Sequence, residues 1–151
     1  MNTQHDERWP GGIGGALVTE THFDGREMLC FSDRPRTLCE MLARCVRDFP
    51  DRPAIVEGRR LTYRDLDDAV SALAAGLAAF GITKGERVGL LLSNRWQYLA
   101  CVFACAHIGA QAVPMSTRAA QAELEFQLGN CTAAALICEA DLSHIVPDVI
   151  A

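Results

Sequence analysis

Several groups of residues have types and spacing that chemistry could use. Cys101, Cys105 and His107 bring thiol and imidazole donors close together in the chain. Cys101 and Cys105 share one helical face, but His107 points elsewhere, because only i+3 and i+4 neighbours align. The expectation is two buried thiols acting as small hydrophobes, not a metal site. Asp65, Asp67 and Asp68 offer carboxylates for acid/base work, yet no partner base accompanies them. Thr62 stands three residues before Asp65, the spacing of a helix cap, and acids there favour the positive end of a helix dipole. Gly11, Gly12, Gly14 and Gly15 (GGIGG) suggest a phosphate cradle. No strand precedes them, no Lys-Ser or Lys-Thr follows, and the spacing departs from GxGxxG. Lys84, the only lysine, falls in the turn ITKGER and is expected to be solvated. Trp96, Gln97 and Tyr98 could form an aromatic ligand platform, but rings of that size serve core packing first. His107 near a helix end is expected to be structural, its charged form favouring the negative end of the dipole. The residues themselves therefore assign no catalytic, cofactor-binding or metal-binding role.

Composition narrows the classes further. The chain has 151 residues, half of them apolar, enough for one core that buries roughly 70% of the unfolded surface. A net charge of −5 leaves no basic stripe, so no nucleic acid partner is expected. The opening MNTQHDERWP lacks the apolar core of a signal peptide. The run Leu99 to Ala110 is shorter than the ~20 residues that span a bilayer, so no membrane span is expected. Cys30, Cys39, Cys45, Cys101, Cys105, Cys131 and Cys138 make an odd set without CxxC spacing. Reduced thiols in a cytoplasmic protein are the expectation.

The elements that must position these residues follow from periodicity. Residues 1–33 show no sustained period and are expected to form a glycine-punctuated arm. Thr37 and Glu40 have capping-box spacing, and Leu38, Met41, Leu42, Cys45, Val46 and Phe49 recur at helical spacing until Pro50. Ala54 to Glu57 and Arg60 to Thr62 read as a hairpin turning at Gly58. Leu66, Ala69, Val70, Leu73, Leu77 and Phe80 make one stripe, and Gly81 suits a left-handed C-cap. Arg87 to Leu92 is near-continuously apolar, the mark of a strand buried on both faces in a parallel sheet. Ser93 and Asn94 offer caps for a helix from Trp96 to Ile108 that Gly109 closes. Gln111 to Pro114 is a second strand, Ala120 to Leu128 a helix closed by Gly129 and Asn130, and Ala134 to Cys138 a third strand. Asp141 offers a cap to a last short helix stopped at Pro147. The fold class is α/β, a partial parallel sheet with βαβ crossovers over residues 34–151. An incomplete sheet of this kind leaves an edge open to self-association.

Particular phrases go beyond periodicity. LTYRDLD (Leu61 to Asp67), GITKGERVGLLLSN (Gly81 to Asn94) and AHIGAQAVPM (Ala106 to Met115) occur in that order and together resemble the N-terminal part of the adenylate-forming, AMP-binding ligases, particularly acyl-CoA synthetases. Asp65 stands where the family pattern has glutamate. MSTRAAQAELEFQLGNCTAAALIC is similar to the acyl-CoA ligase continuation through Arg118, Glu123, Phe126, Leu128 and Ala134, and Ser116 replaces its asparagine. The resemblance implies the N-terminal segment of a ligase large domain. It implies a parent that activates a carboxylic acid with ATP and Mg and passes the acyl-adenylate to a thiol, usually coenzyme A. The family's phosphate loop, ribose-binding aspartate and catalytic lysine have no counterparts here, and Lys84 matches a surface position. The expectation is a fragment without its own turnover or cofactors. Two alternatives stand beside it: a non-catalytic α/β interaction module, and a nucleotide binder using the loops after Leu92, Pro114 and Cys138.

Overall fold

The computed structural model describes residues 16–148, in two units that divide between Thr37 and Leu38. The described part of the first unit is a hairpin. Strands β1 (Leu17–His22) and β2 (Arg26–Phe31) pair antiparallel from Leu17↔Phe31 to His22↔Arg26. Within residues 1–33, expected from sequence to form a glycine-punctuated arm, 17–22 and 26–31 are therefore strands. The signal was present in Asp24-Gly25, a strong hairpin-turn dipeptide, and both residues take positive φ. The GGIGG run lies outside the described residues.

The second unit is built around one apolar strand. Helix α1 (Leu38–Asp48) starts directly after Thr37. Strands β3 (Pro53–Glu57) and β4 (Arg59–Thr62) form an antiparallel pair. Helix α2 (Tyr63–Ala79) opens on the expected capping box: Asp65 N–H donates to Thr62 Oγ1 at 3.1 Å, and Thr62 N–H donates to Asp65 Oδ2 at 2.8 Å. It closes in a Schellman arrangement, with Gly81 N–H on the Ala78 carbonyl and Ile82 N–H on the Leu77 carbonyl.

Then follow β5 (Arg87–Leu91), α3 (Trp96–Ile108), β6 (Gln111–Pro114), α4 (Gln121–Asn130), β7 (Ala133–Cys138) and a 3-10 helix (Ala140–Ile145). The three last strands form one parallel sheet in the order β6-β5-β7, as the crossover pattern predicts. Alternation on β5 splits its side chains between two layers. Val88 and Leu90 pack with Ile82, Cys101 and Cys105, while Leu91 packs with Met115, Leu124 and Leu128 on the α4 side. A third cluster, Leu42, Leu66, Val70, Ala100 and Phe103, joins α1, α2 and α3.

The helix ends depart from the sequence expectations. Ser93 and Asn94 do not cap α3, whose N-cap is Arg95 without a side-chain bond. The Glu57 carboxylate, distant in sequence, accepts from Trp96 N–H at 2.6 Å instead. Helix α4 runs through Gly129 and Asn130 rather than closing on them. Its end is met by Arg87, whose Nε donates to the Cys131 carbonyl at 2.7 Å and whose Nη2 donates to Thr132. Thr132, at φ 48°, takes the left-handed position after the Cys131 C-cap, and the Arg87 cation adds to it at the negative end of the helix. Asp141 falls in the first turn of the 3-10 helix, and Glu139 is the N-cap.

Gly89 marks the closest approach across the sheet. A Cβ there would lie 2.9 Å from Leu136 Cδ1 and 3.1 Å from Leu128 Cδ2. Gly89→Ala is expected to lower stability by about 1–3 kcal/mol through overpacking, and Leu90→Ala by about 2–5 kcal/mol through a cavity. Urea midpoints of the two variants at one chain concentration check both. Thr62→Ala, which removes the α2 cap, is expected to cost about 1 kcal/mol in the same assay.

Candidate functional site

In open α/β sheets, ligands sit beyond the carboxyl ends of the strands. Here that end gathers Ser93, Asn94 and Arg95 after β5, Ser116 and Arg118 after β6, and Glu139 after β7. Parallel register sets β5 and β7 side by side, and Glu139 N–H extends the ladder onto the Leu91 carbonyl at 3.2 Å. The Glu139 carboxylate then accepts from Ser93 N–H and from Ser93 Oγ, with Arg95 Nη2 at 3.5 Å. The Ser93 hydroxyl, then its N–H, and then Arg95 hold this carboxyl below its ordinary range. It is an anion occupied in joining two loops.

A cavity of about 510 Å³ opens between α2, the start of α3 and the end of β7. Its walls include Leu73, Leu92, Trp96 and Ile137, with Arg95 and Glu139 supplying charge. A second groove of about 460 Å³ lies against Leu73, Leu77, Phe80 and Leu136. Gln97, on the wall of the larger cavity, has its Oε1 buried without a hydrogen-bond partner among the described residues. Beside the grooves, β7 pairs among the described residues with β5 alone, so no described strand lies on its outer backbone edge. The strand reads AAALIC, without a charge or proline to guard it. Chemically this is a surface for apolar contact and strand addition.

The structure separates the other candidates. Cys101 and Cys105 are buried, and burial pushes both thiols up, Cys105 to about 11. His107 is exposed, so these three donors do not converge. Asp65 is engaged by Thr62, which lowers its pKa. Lys84 lies at the opposite, N-terminal end of β5, its stem against Gly109, where a Cβ would meet Lys84 Cγ at 2.9 Å. Gly109 itself is the left-handed C-cap that the sequence predicts for α3. Trp96 packs on the α1–α2–α3 cluster and lies 4.7 Å under the Arg59 guanidinium, while Tyr98 packs beneath β5.

Sequence reasoning missed the roles of Glu57, Arg87 and Glu139, since nothing local marks a residue whose partner is some forty positions away. It also missed a cluster on the hairpin. Glu20 accepts from Arg34 through both oxygens at 2.8 Å, with His22 Nε2 3.0 Å and Arg36 Nη1 3.2 Å from its Oε2. Chiefly through the Arg34 hydrogen bond, the Glu20 carboxyl is lowered to about 2.

Comparison with known proteins gives a consistent result. The AMP-binding enzyme family matches residues 42–150. The 2-succinylbenzoate–CoA ligase of Bacillus pumilus is 40% identical over 60% of this chain and 19% of its own length. The long-chain-fatty-acid–CoA ligase of Salmonella typhimurium is 32% identical over 78% of this chain and 21% of its own length. The N-terminal domain of FACL13 from Mycobacterium tuberculosis superposes with a TM-score of 0.71 at 31% identity, covering 74% of this chain and 29% of that one. The chain thus spans about a fifth of the length of these curated relatives.

Glu139 generates a pH prediction. Its folded pKa is lowered from 4.5, so its contribution to stability is complete above that value and is lost as pH falls through the lower folded value. Glu139→Gln is expected to be less stable than the parent chain at neutral pH, with the gap closing under acid. Urea midpoints of both chains from neutral pH down to pH 3 measure the gap.

Proposed function

Because the chain belongs to the AMP-binding enzyme family, we propose that it supplies the N-terminal α/β segment of an ATP-dependent acid–thiol ligase, and that its residues are scaffold rather than reaction machinery. In the complete ligase, a carboxylic acid is activated with ATP and Mg and transferred to coenzyme A. Attack of a carboxylate on a phosphate brings two anions together, so such a site needs concentrated positive charge and preorganised donors. The described residues do not fit that group.

The observation that carries the scaffold reading is where the cations fall. Lys84 is at the far end of the sheet from the strand C-termini. Arg87 is engaged by the end of α4 and Arg95 lies beside Glu139, so exposed Arg118 after β6 is what this end offers an anion, short of the concentrated charge a triphosphate needs. No glycine-rich turn follows β5, β6 or β7. Seven unpaired cysteines support a reducing, cytoplasmic setting, and among the described residues no helix is long and apolar enough to cross a membrane.

The bare edge of β7 favours a second reading, a non-catalytic module that associates through that edge. An unguarded strand beside apolar grooves invites pairing with another chain.

Purified chain is expected to give no acid-dependent exchange of labelled pyrophosphate into ATP, assayed with short, long and aromatic carboxylic acids. Exchange that follows the chain through successive columns overturns the scaffold reading. Light scattering is expected to report a mass that rises with concentration, and Ala134→Lys, a charge on exposed β7, to lower it toward the monomer. A monomeric parent chain at all concentrations removes the association reading.

A further inference from the structure

The hairpin carries donors that the ligase reading does not use. Glu20 and His22 alternate on β1 and so share a face, and Cys30, paired with Val18 across the hairpin, stands on that same face. Their ligand atoms all lie within 4.8 Å of one another. His22 Nε2 is 3.0 Å from Glu20 Oε2 and 3.8 Å from Cys30 Sγ. Zinc bond lengths of about 2.0–2.3 Å in a tetrahedral shell put such donors about 3.4–3.6 Å apart, so side-chain shifts on the order of 1 Å bring these three into place.

We propose that Glu20 Oε2, His22 Nε2 and Cys30 Sγ form a binding site for a divalent cation of the zinc class. One carboxylate, one imidazole and one thiolate make a mixed O, N and S set of the kind that selects this borderline-soft ion over magnesium or calcium. Three protein ligands leave a fourth tetrahedral position to water.

The hairpin itself shows where a cation goes. Arg34 Nη2 donates to Glu20 Oε2 at 2.8 Å and stands 3.4 Å from His22 Nε2, so a guanidinium nitrogen sits where two of the three donors converge. A metal displaces that nitrogen. Arg34 retains Nη1 on Glu20 Oε1 at 2.8 Å and on the Phe31 carbonyl at 3.1 Å, where it steers the ligating carboxylate from outside. Glu20 and His22 expose 17% and 32% of their side chains, which leaves an entry path. The consequence is structural. A lone two-stranded hairpin is marginal in water, and a cation bridging β1 to β2 adds its binding energy to folding.

The test uses the whole chain with cobalt as a spectroscopic substitute and zinc as competitor. The expected result is one cobalt per chain with a thiolate charge-transfer band that equimolar zinc abolishes. Cys30→Ser and His22→Gln each lose the band, while Cys131→Ser and Cys138→Ser keep it. Because a hairpin variant can fail for reasons of folding, X-ray absorption of the zinc-loaded parent chain gives an independent reading: one sulfur and three nitrogen or oxygen neighbours are expected. No stoichiometric binding at micromolar zinc overturns the proposal. So does a band that survives Cys30→Ser, or a shell with no sulfur or with more than one. None of these outcomes depends on ligase activity, so they leave the scaffold reading untouched.

Discussion

The constraint on which the second unit depends is the burial of β5 from both faces and both edges. Val88, Leu90 and Leu91 have no exposed surface, and their alternation requires an apolar layer on each side. Helices α2 and α3 satisfy one side, with α4 and the 3-10 helix on the other. Strands β6 and β7 satisfy the hydrogen bonds of the two edges. Gly89 is the concession that lets Leu136 and Leu128 come close enough to seal the α4 side.

Charged side chains then complete the backbone at the margins of that core. Glu57 takes the first N–H of α3, Arg87 takes the carbonyls just past α4, and Glu139 ties the loop after β5 to the end of β7. Each brings a charged side chain from a distant part of the chain to a sheet or helix end. The same economy bears on function. At the strand C-termini, where a ligand would be bound in such a sheet, Glu139 and Arg95 answer each other and the loops around them. What stays open nearby is apolar: the α2–β7 grooves and the outer edge of β7.

The hairpin is a different case within the same chain. Its two strands hold few buried side chains, so polar contacts among Glu20, His22, Cys30 and Arg34 carry more of its cohesion than they would in a domain with a core. A polar cluster that crosses strands is therefore the natural place for a cation, whether a guanidinium or a metal.

Much of the fold was legible in the amino-acid order because its cues are local. Thr62 and Asp65, three residues apart, prescribe a capping box; Gly109 prescribes the end of α3; the unbroken apolar run from Arg87 prescribes a strand with two covered faces; and the phrases from Leu61 to Met115 carry the family. Local cues act through neighbouring residues, so they survive without knowledge of the fold. Tertiary structure decided the rest. It settled that Ser93 serves Glu139 and not α3, that α4 passes through Gly129 to end before a left-handed Thr132 beside Arg87, that Lys84 faces away from the strand C-termini, and that Glu20, His22 and Cys30 share one cup. Those outcomes depend on which carboxylate, guanidinium or thiol arrives from another part of the chain, and electrostatic partners are chosen by distance in space, which spacing along the chain does not encode.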